Sequence, residues 1–166
     1  MKPALHVVVV IGAAFLAACG NGTESGPLAQ EPGNSSYSTS PAKPGQIVSF
    51  GLWLPRNPGP EAIIKSVEPA DPAEAKGLQL RYAGVEPNSG CSVGALYGWP
   101  PQGCDGDLLT LEGFRVPEGV EGGILVGARA FQPGRWLVHA FRVRYEVGGK
   151  TFEDVYAQGV GLRVAD

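Results

Sequence analysis

The chain has 166 residues, enough for one domain and a flanking segment. Its 13 Lys and Arg against 16 Asp and Glu give a formal net charge of −3, and the basic residues are scattered, not clustered. That argues against nucleic acid or a broad anionic lipid surface as partner, because both reward massed positive charge.

Lys2 opens the chain with positive charge, and Leu5, Val7 to Ile11, Phe15 and Leu16 build an apolar run behind it. Ala17 and Ala18 follow, small enough to leave a peptidase an unhindered backbone. This is the three-part layout of a secretory signal, too short to span a bilayer comfortably as a helix. Where an ordinary signal ends in a small-x-small site, Cys19 stands directly after Leu16-Ala17-Ala18. These four residues, at the end of the apolar run, resemble the lipobox of bacterial lipoproteins. The resemblance implies cleavage after Ala18 and a diacylglyceryl thioether on Cys19, with palmitate-type acyl chains and the membrane as partner. Two or more chains hold a protein stably, since each buried methylene contributes about 0.8 kcal/mol. Gly20 is not the aspartate that retains lipoproteins of this family at the inner membrane. The resemblance therefore implies the extracytoplasmic side of the envelope, and the outer membrane in a cell with two.

From Gly20 to Gly45 the residues are mainly Asn, Gly, Ser, Thr and Pro, with Leu28 and Tyr37 the only large apolar side chains. Such a stretch buries too little to offset its chain entropy, so 19–45 is expected to be a lipidated cysteine and disordered linker. At about 5–6 Å times the square root of its length, it would float a domain roughly 25–30 Å above the membrane. The domain itself is expected over 46–166. Its Gly and Pro recur at short intervals between β-branched, aromatic and alternating runs, which predict strands over 46–54, 62–68, 77–85, 108–112, 124–131, 136–147 and 150–164. Pro72 to Lys76 has room for one helical turn. Seven strands in such a length predict an all-β, immunoglobulin-like two-sheet antiparallel sandwich, with a closed barrel as the other option.

Cys91 and Cys104 are an even pair in a chain bearing an export signal, and most simply form a disulfide. In the chain-entropy account such a loop contributes about 3 kcal/mol. Inside it lie Tyr97, Trp99, Pro100 and Pro101. Aromatic residues beside rigid prolines make a preorganised binding loop for a protein or glycan ligand. Equally, Trp99 and Tyr97 can fold back and cover one end of the sandwich. Asp105 and Asp107, with Glu112 beyond, offer oxygen donors for calcium, although an Asp-Gly-Asp stretch is also a common solvated turn.

The last hairpin carries the sharpest prediction. Gly148-Gly149 suits the positive φ angles of a type I′ turn. That turn sets Val147 against Lys150, Tyr145 against Phe152, Phe141 against Tyr156 and Leu137 against Val160 on a core face. Arg144 against Glu153 then falls on the solvent face. The same register puts Asp154 on the core face, where it needs a rim, a basic partner or a loop amide. It also sets His139 across from Gln158 as a core polar pair, either a hydrogen-bonded imidazole or a buried base. Trp53 and Trp136 fall within strands as packing or edge residues.

The residues lead to an expectation of a membrane-anchored envelope lipoprotein acting as a non-catalytic binding or assembly module that needs no cofactor. The other reading is an exported hydrolase or calcium-binding protein, with His139 and carboxylates from separate loops. The absence of a G-x-S-x-G stretch, of paired ligand histidines and of a phosphate-cradling glycine loop weighs against it.

Overall fold

Val48, Phe50, Leu52 and Leu54 alternate with Ser49, Gly51 and Trp53, and a strand sends the first set to one face and the second to the other. The same two-residue period recurs through the chain, and a computed structural model shows what it builds. It describes residues 24–31, 36–86, 89, 91, 94–104 and 106–165. The strands are β1 (Ser36–Ala42), β2 (Val48–Arg56), β3 (Ala62–Pro69), β4 (Gln79–Val85), β5 (Ala95–Tyr97), β6 (Arg115–Val116), β7 (Glu121–Arg129), β8 (Gly134–Val138), β9 (Phe141–Val147), β10 (Lys150–Tyr156) and β11 (Gln158–Val164). One 3-10 turn, Pro72–Ala75, follows β3; Asp71 caps it by accepting from the Ala73 amide at 2.9 Å.

The protein is an all-β sandwich. One sheet runs β4-β7-β2-β5, a second β10-β9-β3-β6 and a third β1-β11-β8. Pairing is antiparallel except between β1 and β11, which are parallel. The main core joins Phe50, Leu52, Ile124 and Val126 of the first sheet to Ile64, Phe141, Tyr145 and Tyr156 of the second and Val160 and Leu162 of the third. The immunoglobulin-like topology is a finer matter than this architecture.

The terminal hairpin pairs as its turn dictates. Gly148 and Gly149 have φ of 57° and 79°, and Val147↔Lys150, Tyr145↔Phe152 and Phe141↔Tyr156 follow. Beyond those pairs the expected register fails. Val138, not Leu137, lies across from Val160, because only His139 and Ala140 bridge the gap that Ala157, Gln158 and Gly159 bridge on the partner. That one-residue offset reverses the facing of β8 relative to β9. It also breaks each expected long strand, 136–147 and 150–164, into two segments in different sheets.

Other departures trace to weak local signals. The stretch 108–112 holds only an isolated bridge, Leu109 to Gly84, while the short β5 and β6 arise where the sequence analysis places no strand. Most consequential is the expected linker. Of its residues, Ser36–Ala42 form β1 along β11, and Leu28 is fully buried in the main core. The ordered domain thus begins well before residue 46. Polar composition hid this because the buried side chains of β1 among those described are small, Ser40 and Ala42, and the earlier segment inserts one leucine. The expected signal peptide and Cys19 lie outside the described residues.

Candidate functional site

The disulfide loop comes first in the chain. Cys91 and Cys104 are disulfide-bonded. The loop lies back across the outer face of the first sheet, where Cys91 joins Val85 and Leu125 in a second small cluster flanked by Trp99, Cys104 and Leu108. β7 carries Gly123, Leu125 and Gly127 on that face, and the glycines make room for indoles. A Cβ at Gly127 would come within 2.5 Å of Trp99, and one at Gly123 within 3.3 Å of Trp53. Ser49 buttresses the loop, its hydroxyl donating to the Gly98 carbonyl at 2.6 Å. Trp99 therefore packs half-buried against β7, while Pro101 is buried. What faces outward is Pro100 and Tyr97, the latter 44% exposed with its hydroxyl donating to the Pro41 carbonyl at 3.2 Å.

His139 and Gln158 are not a pair, correcting the core assignment. The register offset turns His139 outward at the corner between β8 and β9, where its side chain is 66% exposed. Its backbone amide donates to Glu74 Oε2 at 2.8 Å, and its ring Nδ1 lies 2.5 Å from Glu74 Oε1. One carboxylate thus fastens the 3-10 turn to this corner. Gln158 instead points toward β2. Its amide donates to the Trp53 carbonyl at 2.6 Å and accepts from the Trp53 amide at 2.8 Å, as a neighbouring strand would.

Asp154 does reach a loop amide. The segment 24–31 crosses β9 and β10 as a strap, and Gly26 N donates to Asp154 Oδ2 at 3.2 Å. Tyr145 donates its hydroxyl to the same carboxylate oxygen at 2.5 Å while accepting from Leu28 N at 3.0 Å. Tyr156 donates to the Leu28 carbonyl, and Ala157 N donates to Gln30 Oε1 at 2.8 Å. Burial first, then the bond to Asp154, holds the Tyr145 hydroxyl protonated far above the ordinary tyrosine range. Tyr156 shifts the same way, through burial and then the fields of Tyr145 and Asp154. This network is closed on itself, and its chemistry is structural.

The feature that sequence reasoning missed lies on the outer face of β1-β11-β8. There Pro41, Arg163 and Arg135 form one cross-strand row, and Thr39, Gly161 and Leu137 form the next. Gly161 has no side chain to stand between its neighbours, and the face is hollowed. One hollow of about 490 Å³ is lined by Thr39, Pro41, Arg135, Trp136, Leu137 and Arg163. A second of about 500 Å³ adjoins it, sharing Pro41, Arg135 and Arg163. Trp136, between Arg135 and Leu137, packs against the main core and donates its indole N–H to the Lys76 carbonyl at 3.1 Å. The offset register brings Arg135 opposite Arg163. No local signal in 134–140 or 157–159 announces that shift.

Among the described residues, no group of three or more His, Cys, Asp or Glu gathers to hold a metal ion, and none forms a helix long and apolar enough to cross a membrane. Asp105, part of the calcium alternative, lies outside them.

A sandwich with one open, arginine-bearing face is what the fold and this surface define. No family profile matches the chain, and no curated protein matches it in sequence. Among solved structures it is similar to the VesB protease of Vibrio cholerae, at 11% identity and a TM-score of 0.40 over 78% of this chain and 31% of that one. It is also similar to a family 123 glycoside hydrolase from Clostridium perfringens, at 10% identity and a TM-score of 0.46 over 79% of this chain and 23% of that one. The chain thus spans less than a third of either protein, and likenesses this distant carry neither activity across.

Proposed function

We propose that the chain is a lipid-anchored envelope lipoprotein whose sandwich is a non-catalytic binding or assembly module. The observation that carries this reading is Leu16-Ala17-Ala18-Cys19 at the end of a signal-like apolar run. An exported setting is also one in which the Cys91–Cys104 disulfide persists. The strap supports it by position. Gly26 is tied to Asp154 about seven residues beyond Cys19, so the anchor would hold the domain within about 25 Å of the membrane. On this proposal the anchored domain would sit closer to the membrane than a free linker over 19–45 would hold it. For the finer topology, the chain crosses from β2 in the first sheet to β3 in the second and back to β4 in the first, the kind of crossing that an immunoglobulin-like sandwich uses.

Metabolic labelling with a fatty acid tests the anchor. The wild-type chain takes up label and fractionates with membranes, whereas Cys19→Ser is unlabelled. Equal label in both chains overturns the proposal.

A further inference from the structure

Arg135 and Arg163 are directly opposed on neighbouring antiparallel strands, which sets their Cβ atoms about 5 Å apart on the same outer face. Like charges so placed repel, and the pair works against the fold unless something neutralises it. Among the described residues neither guanidinium forms an ion pair. By contrast, Arg115, Arg142 and Arg144 in the second sheet each meet a glutamate. Two positive charges stand together on a chain whose net charge is −3, between two hollows that share both of them.

We propose that the Arg135–Arg163 pair is a binding site for a phosphate group, either free or as the terminal phosphomonoester of a lipid headgroup. Charge selects phosphate over carboxylate: a phosphomonoester carries about −1.5 to −2 near neutral pH, matching two guanidinium groups, where a carboxylate matches one. Geometry agrees, because each guanidinium fork can engage two oxygens of the same phosphate. Thr39 adds a hydroxyl to the rim, while Pro41 and Leu137 give apolar flanks. Hollows of about 490 and 500 Å³ on either side leave space for whatever the phosphate is attached to. A two-residue site of this kind differs from the massed positive charge that a long polyanion rewards.

The test is thermal unfolding of the full chain in detergent at low ionic strength, with inorganic phosphate against chloride at matched ionic strength. Phosphate raises the melting temperature of the wild type and of Arg144→Gln. The rise disappears in Arg135→Gln and in Arg163→Gln, whose phosphate affinity falls by about tenfold or more. Without phosphate, these two variants melt no lower than wild type, because the repulsion is gone. A second arm compares the chain reconstituted in phosphatidylcholine bilayers with and without phosphatidic acid. Stabilisation by phosphatidic acid that Arg135→Gln abolishes identifies the headgroup as source; stabilisation by inorganic phosphate alone identifies the free ion. The proposal is overturned if neither ligand stabilises the wild type, or if the arginine variants keep the full shift. The detergent arm is independent of the lipid-anchor reading, so the two proposals fail separately.

Discussion

Tyr145 shows how a residue legible in the sequence can have partners that are not. Alternation across the Gly148-Gly149 turn places it on the core face beside Phe152, and the two rings do stack, with centroids 5.7 Å apart. The same alternation makes Asp154 inward and in need of a loop amide. Which loop supplies it was invisible, because the donor, Gly26, sits 128 residues away in a stretch of polar composition. A consequence of the network is alkaline sensitivity. Tyr145, Tyr156 and Tyr82 are all held protonated above the ordinary value of about 10, chiefly by burial. Above that pH the unfolded chain releases phenolic protons that the native chain keeps. Their contribution to stability is therefore intact below about pH 10 and is lost as pH rises further. Urea midpoints followed from pH 8 to 12 should hold and then fall, with tyrosinate absorbance from these three residues rising only as the fold opens. A full set of tyrosinate signals from a still-folded chain would contradict that picture.

At the scale of an element, the hairpin β9–β10 separates what a turn can specify from what it cannot. Two glycines at positive φ fix every pair from Val147↔Lys150 to Phe141↔Tyr156. Phe141 is fully buried in that register, and Arg144 meets Glu153 at 2.9 Å on the solvent side. Phe141→Ala should accordingly cost roughly 3–5 kcal/mol, and Arg144→Ala about 0.2–1 kcal/mol, read as urea midpoints. Comparable losses from both would mean the strands pair out of register. Past Phe141 the turn loses its authority, since nothing in His139-Ala140 or Ala157-Gln158-Gly159 encodes an unequal count of residues. That single inequality accounts for the failed His139–Gln158 pairing, the outward histidine and the opposed arginines together.

For the molecule as a whole, the all-β class followed from the spacing of Gly and Pro between alternating runs, while the division into three sheets and the early start of the domain did not. Leu28 is the clearest case. One leucine in a polar segment reads as an exposed residue, yet it is fully buried and held at its amide and carbonyl by Tyr145 and Tyr156. Leu28→Ala should destabilise by about 2–5 kcal/mol, where a residue in a free linker would leave the midpoint unchanged. The strap has a mechanical consequence as well. If a lipid on Cys19 holds the chain, any pull between membrane and domain enters through Gly26 and Leu28 before it reaches a strand. Those contacts lie one after another along the strap, so a pull meets them in turn. Release would lengthen the leash from Cys19 from about 25 Å, ending at Gly26, to about 60 Å, ending at Ser36. A domain held close at rest would thus gain slack under load.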